Sequence, residues 1–386
     1  LSRIYLDNAA TSWPKPEAVY VAVEEYQRQV GAAAGRSPYA EAVDVTRKIA
    51  NVRAACARLL AIRDPAQLVF TSNGTDALNL AIHGLLRPGD RVITSAAEHN
   101  SVLRPLADLT ARGLIEVVRV DCDAAGIVMP ADLRRELRTR TRLVALTHAS
   151  NVTGAVQPIG ELATIARMAG SLILVDAAQT AGHLSIDVEQ LGVDLLATSG
   201  HKGLLGPLGT GLLYIRPGLE QEIAAVRQGG TGTRSDEDRQ PESLPDKYES
   251  GNLNVPGILG LGAGVEFLIA QGIAVVERRM QALGEHLLNG LREIAGVRLF
   301  GLTGTTLPVG LVSLTIEGYD PQEVAAVLDS TFRVQVRPGL HCAPHMHRLL
   351  GTLEGGGTVR ISLGPMNSAD QIDETLSAIR QLAAGG

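Results

Sequence analysis

Aromatic residues make up only 3% of the 386-residue chain, with one Trp, four Phe and seven Tyr. Such a low aromatic content, beside abundant Gly and Ala, fits a tightly packed α/β sheet with Gly-rich loops. Cysteine is equally sparse. Three cysteines cannot build a disulfide framework, so a reducing, cytoplasmic setting is expected and at least one thiol stays free. No run approaches the roughly 18 uninterrupted apolar residues of a membrane span. The most apolar region, around 257–276, is interrupted by Glu266 and Gln271. Positive charge is not in excess either. A net charge of −6 without any basic block argues against a protein built to bind nucleic acid. The opening LSRIYLDNAAT has no apolar signal core, so no secretory peptide is expected, and the start at Leu1 suggests processing or truncation.

What is abundant is glycine, with 42 residues, and short apolar runs. QLVFT (67–71), RVITS (91–95), IEVVRV (115–120), RLVALTH (142–148), LILVD (172–176), LLATS (195–199) and GLLYI (211–215) recur between helical-period segments. Seven near-continuous apolar strands with helices between them predict a mainly parallel sheet buried on both faces. Earlier, Val19, Val23, Tyr26 and Val30 predict a helix over 16–30, and Val45, Ile49, Val52, Cys56 and Leu59 a second one. Residues 227–255 break the pattern with a polar, Gly/Pro-rich stretch of the length usually reserved for function or disorder. A long helix is expected over roughly 258–295. Shorter strands and helices follow it and predict a smaller α/β domain, ending in a helix over 368–383.

Ligands of such sheets bind beyond the carboxyl ends of the strands. There, SNGTDALN (72–79) offers Gly74 and Thr75 at a helix start, which suits a phosphate or a plain capped turn. LILVD ends in Asp176, a helix cap, an ion-pair member or an anchor for a cationic ring nitrogen. AEHNSV supplies His99, and THASNVTG supplies Asn151. LLATS leads into a Gly-rich loop holding Ser199, His201 and Lys202. A desolvated lysine loses its proton readily and can form a Schiff base. A phosphate cradle, an imidazole, an amide, a carboxylate and a lysine on one sheet edge together suit pyridoxal 5′-phosphate.

IYLDNAAT (4–11), SNGTDALN (72–79), EHNS (98–101), SNVTG (150–154), VDAAQ (175–179), SGHK (199–202) and RPGLHCAP (337–344) occur in that order. The chain thereby resembles the class V, fold type I pyridoxal-phosphate enzymes, and within them the Suf-type cysteine desulfurase/selenocysteine lyase family. The resemblance spans nearly the whole chain. It implies a large cofactor domain over 12–266 and a small domain formed by 1–11 and 267–386. It also implies a homodimer with its sites at the interface.

On that resemblance Lys202 is the Schiff-base lysine, Asp176 pairs with the pyridine nitrogen and Gln179 contacts the phenolic oxygen. His99 stacks on the ring. Gly74, Thr75, Ser199 and His201 hold the phosphate, and Asn151 lies near ring and substrate. Arg360 is the carboxylate-binding arginine, with Arg337 as a second candidate. Cys342 is the nucleophile, in a Gly/Pro/His loop and off any apolar stripe, and a nearby His or Arg is expected to lower its pKa. His341 and His345 flank it without a further cluster to complete a metal site. Cys56 sits on an apolar stripe and reads as core. Cys122, between Asp121 and Asp123, is expected to have a raised pKa. Where the family has a Thr that reaches the partner subunit's phosphate, this chain has Asn252.

The expected reaction converts L-cysteine to L-alanine, leaving a persulfide on Cys342 for an acceptor protein. Iron–sulfur cluster assembly, thiolated RNA and other cofactors are candidate destinations. A selenocysteine lyase and another class V aminotransferase or C–S lyase are the alternatives.

Overall fold

The structure, a computed structural model, describes residues 3–35, 37–233, 236–301, 304 and 306–385. Residues 234 and 235, within the polar stretch singled out above, lie outside the described residues.

The chain begins with a short strand β1 (Ile4–Tyr5), α1 (Glu17–Glu25), which continues as a π-helical turn over Tyr26–Val30, and α2 (Ala40–Leu59). A strand–helix alternation follows: β2 (Leu68–Thr71), α3 (Gly74–Leu85), β3 (Asp90–Ser95), α4 (Asn100–Ala111), β4 (Ile115–Val120), α5 (Pro130–Glu136) and β5 (Leu143–Thr147). It goes on through α6 (Ile159–Met168), β6 (Leu172–Asp176), α7 (Val188–Leu191), β7 (Leu195–Ser199) and β8 (Gly211–Ile215). β2 to β8 are the seven strands expected from the apolar runs, and they form one sheet in the order β2-β8-β7-β6-β5-β3-β4. Strands β3 to β7 are parallel to one another, whereas β8 is antiparallel to both β7 and β2. β5, β7 and β8 are buried at every position, as a sheet covered by helices on both faces requires.

The 258–295 region departs from the expected single helix. It is two helices, α8 (Val255–Gln271) and α9 (Ile273–Arg292), bent by 84° at Gly272. Gly272 has φ +79°, a left-handed conformation that a side chain resists. Periodicity survives across the break, so the pattern alone runs straight through it. α8 packs against α1 and α2, while α9 packs against the last helix.

The remaining chain supplies β9 (Val297–Phe300), β10 (Leu311–Ile316), α10 (Pro321–Phe332), β11 (Val334–Gln335), β12 (Arg337–Gly339), α11 (Pro344–Leu349), β13 (Thr358–Ser362) and α12 (Ala369–Ala383). α10 and α12 both start with reciprocal capping boxes, Asp320 with Glu323 and Ser368 with Gln371. A second sheet is antiparallel in the order β12-β13-β10-β9. The run 334–339 divides between two sheets. β11 pairs with β1, bringing the N-terminal segment alongside, and β12 pairs with β13.

Candidate active site

The carboxyl ends of β2, β3, β5, β6 and β7 surround a cavity of about 480 Å³. Its lining includes Asn73, Gly74, Thr75, His99, Ser101, Thr147, Asn151, Asp176, Gln179, Ser199, His201 and Lys202. Sequence order delivers each strand end separately, and the parallel sheet brings them to one edge.

α3 starts where Asn73 caps it, its side chain accepting from Asp76 N–H at 2.9 Å. The next residue must be glycine, because a Cβ on Gly74 would sit 2.6 Å from Ser199 Oγ. Thr75 Oγ1 lies 2.7 Å from Ser101 Oγ, which in turn lies 2.8 Å from His99 Nδ1. Ser101 N–H also donates to that Nδ1 at 3.0 Å. His99 Nδ1 is therefore an acceptor, and the ring proton of the neutral form belongs on Nε2. Burial, with Lys202, Arg337 and Arg360 nearby, lowers the His99 pKa to about 4, so neutral is its ordinary state.

Asp176 ends β6 at 6% exposure. Its carboxylate accepts from Ala178 N–H at 2.9 Å, and burial raises its pKa. Burial lowers the Lys202 pKa to about 8, despite the opposing pull of Asp176. Gln179 Nε2 donates to Ala9 O at 3.1 Å, so the N-terminal segment fixes that amide. His201 points a buried Nδ1 with no partner among the described residues, while its carbonyl accepts from Ser12 N–H, Thr11 Oγ1 and Ser12 Oγ.

Cys342, Arg337 and Arg360 do not line this cavity but stand behind Asn151 and α4. Among the bonds that hold the loop, Asn100 N–H donates to Cys342 O at 2.8 Å, Asn151 Nδ2 donates to His341 O, and His341 Nε2 lies 3.1 Å from Thr358 Oγ1. His341 and Cys342 both adopt left-handed backbone, at φ +47° and +61°. Such non-glycine conformations cost ~1–3 kcal/mol each and persist only where surroundings impose them. Arg337 Nη2 lies 3.6 Å from Cys342 Sγ. Arg360 Nη1 donates to Asn151 O at 3.1 Å. Of the nearby His or Arg expected beside the thiol, His341 is held neutral. Burial pushes its pKa down to about 2, and Arg337 is the cation in contact with sulfur.

The other cysteines are buried. Burial raises Cys56 to about 12. Cys122 is raised to about 11, but burial and Glu98 are the causes, not the adjacent Asp121 and Asp123. Asn252 is exposed and lines a separate cavity of about 150 Å³ with Phe70, Arg227 and Glu249. Within one chain it is apart from Lys202.

The model of the aminotransferase class-V family matches residues 4–375. The chain belongs to that family. A probable cysteine desulfurase of Methanothermobacter thermautotrophicus is 36% identical, over 99% of this chain and 95% of its own length. An Escherichia coli cysteine desulfurase is 31% identical over 98% of this chain and 93% of its own. The apo structure of a cysteine desulfurase from Thermococcus onnurineus superposes with a TM-score of 0.93 at 32% identity, covering 100% of this chain and 95% of that one.

Class V aminotransferases depend on pyridoxal 5′-phosphate, and the residues here fit that group. Gly74 lets the N-terminus of α3 close on Ser199, where a Cβ would clash, so backbone N–H groups and the Ser199 hydroxyl meet as a phosphate cradle requires. His201 lines the cavity, and its buried Nδ1 has no partner among the described residues. Asp176 is a buried carboxylate suited to a cationic ring nitrogen, and Lys202 is a buried amine suited to an aldehyde. Three residues of this class V site escaped the strand-end reading: Ser101, Thr147 and Asn73. Ser101 was within reach, because it closes the EHNS motif next to His99.

Proposed function

We propose that the protein is a cysteine desulfurase that removes sulfur from L-cysteine and passes it to Cys342, with L-alanine as the other product. The observation that carries this reading is the Cys342 loop, strained and pinned to Asn100 and Asn151 with Arg337 against its sulfur.

When bound, pyridoxal 5′-phosphate supplies an electron sink for negative charge at the substrate α-carbon. Asp176 would hold its ring nitrogen, Gln179 its phenolic oxygen, and Gly74, Thr75, Ser199 and His201 its phosphate. Lys202 would hold its aldehyde carbon. A pKa near 8 lets Lys202 Nζ both take and return the α-proton near neutral pH. His99 holds its proton on Nε2 and is thus a donor, not a base, in its resting state. Arg360 binds the substrate carboxylate, fixed by Asn151 O on one side. Cys342 Sγ, as thiolate, attacks the substrate sulfur. The new S–S bond forms as the substrate Cβ–S bond breaks, and protonation of that carbon leaves alanine. The persulfide then passes to a thiol acceptor. A homodimer, with Asn252 donating from the partner subunit to the phosphate, completes this reading.

The test is to add L-cysteine to the cofactor-loaded enzyme, measure alanine, and examine Cys342 by mass spectrometry for a sulfur adduct. Cys342→Ala should keep the cofactor's visible colour and lose desulfuration. Full turnover by that variant overturns the assignment of Cys342.

A further inference from the structure

Arg360 already has a carboxylate partner in this chain. Its Nη2 donates to Asp7 Oδ1 at 2.8 Å. The partner lies 353 residues away in sequence. β13 brings the two together: Asp7 is bridged in parallel to Ser362, two residues along that strand from Arg360. Ser362 N–H donates to Leu6 O at 2.8 Å, so the Asp7 backbone is fixed beside the strand.

The pair is asymmetric in its access to water. The Arg360 side chain is 1% exposed and that of Asp7 is 22% exposed. Arg360 cannot leave, whereas Asp7 can turn its carboxylate toward solvent and stay hydrated. Arg360 Nε is buried with no partner among the described residues, so the guanidinium is not saturated. Directly across the sheet stands Arg337, in register with Arg360. Two cations face each other there, with Asp7 bonded to one of them.

We propose that Asp7 is the resting counter-ion of Arg360, a built-in carboxylate that an amino acid's α-carboxylate must share or displace. Asp7 thereby sets how tightly substrate and product are held. This deepens the reading of Arg360 as the carboxylate-binding residue and rests on it.

The sign follows from a cycle. Removing the Asp7 charge leaves a buried guanidinium uncompensated in the ligand-free protein, which raises the free energy of that state. In the ligand-bound protein the amino acid's own carboxylate supplies the missing charge, and repulsion between two carboxylates disappears. The ligand-free state loses more, so binding tightens. A residue that only oriented Arg360 would give the opposite sign, since its loss would loosen binding.

The experiment is calorimetric titration of the cofactor-loaded enzyme with L-alanine. Asp7→Asn should bind L-alanine about tenfold more tightly than the parent. KM for L-cysteine and kcat should fall together, because product leaves more slowly. Asp7→Glu keeps the charge and should bind close to the parent. Unchanged or weaker binding by Asp7→Asn, with a cooperative melt showing that it folds, overturns the proposal. Arg360→Gln separates the underlying reading: it should weaken L-alanine binding, and if it does not, the role of Arg360 fails independently of Asp7.

Discussion

Arg337 and Arg360 stand directly opposite each other on antiparallel β12 and β13, while Arg337 Nη2 reaches to 3.6 Å from Cys342 Sγ. Like charges in register on neighbouring strands are unfavourable. The Asp7 carboxylate relieves the arrangement at Arg360, and Arg337 has the Cys342 sulfur against it. On the proposed reading the cross-strand pair sets one cation at the reacting sulfur and the other at the substrate carboxylate.

Arg337→Gln should slow sulfur transfer and spare amino-acid binding. A hydrogen bond to a charged group contributes ~1.5–3 kcal/mol, which corresponds to a loss of about 10- to 100-fold in rate. Single-turnover formation of the Cys342 sulfur adduct measures it, with L-alanine affinity as the control. An unchanged adduct rate would remove Arg337 from the sulfur step.

Glu98 predicts a pH effect on stability. It is fully buried beneath the site, with Oε1 accepting from Ser95 Oγ at 2.7 Å and Oε2 without a partner among the described residues. Burial raises its pKa to about 8 from 4.5. The folded protein therefore holds a proton that the unfolded chain releases above pH 4.5. The Glu98 contribution is fully present below that value and is lost as pH rises through about 8. Glu98→Gln cannot ionise and should melt higher than the parent above pH 8, by roughly 2–5 °C. The gap should close toward pH 5, and thermal melts across that range check it.

Arg53 and Glu249 predict the largest loss of stability. Arg53 Nη1 and Nη2 meet the Glu249 carboxylate at 2.6 and 2.8 Å, and Glu249 Oε1 also accepts from Phe70 N–H at 2.6 Å. Their side chains are only 10% and 5% exposed. The pair ties the polar stretch after β8 to α2 and β2. Glu249→Gln leaves a buried guanidinium unpaired and should cost ~3–5 kcal/mol. Chemical denaturation measures it, and faster proteolysis between 227 and 250 should accompany it. Replacing both partners by apolar residues should recover much of the loss.

Much of the architecture was legible because its signals are local. Each buried parallel strand announces itself as a short apolar run, and a strand followed by a helix places the residue between them at the sheet edge. Gly74, His99, Asn151, Asp176, Ser199 and Lys202 could all be assigned to one rim in this way, and the cavity has them there. The bend at Gly272 was not legible, since the helical period continues on either side of it. The division of 334–339 between two sheets was equally hidden, because it depends on which strands lie nearby.

Local sequence signals specify the order in which the strands appear, the strand-end chemistry and the motifs that mark the class V family. Those properties follow from side-chain periodicity and from residue type at adjacent positions. Only the tertiary structure decided that Asp7 meets Arg360, that Arg337 stands across from it and that Glu98 is wholly buried. The Asp7–Arg360 pair joins segments 353 residues apart. All three features are set by how the sheets, helices and N-terminal strand pack, and no local pattern carries that information.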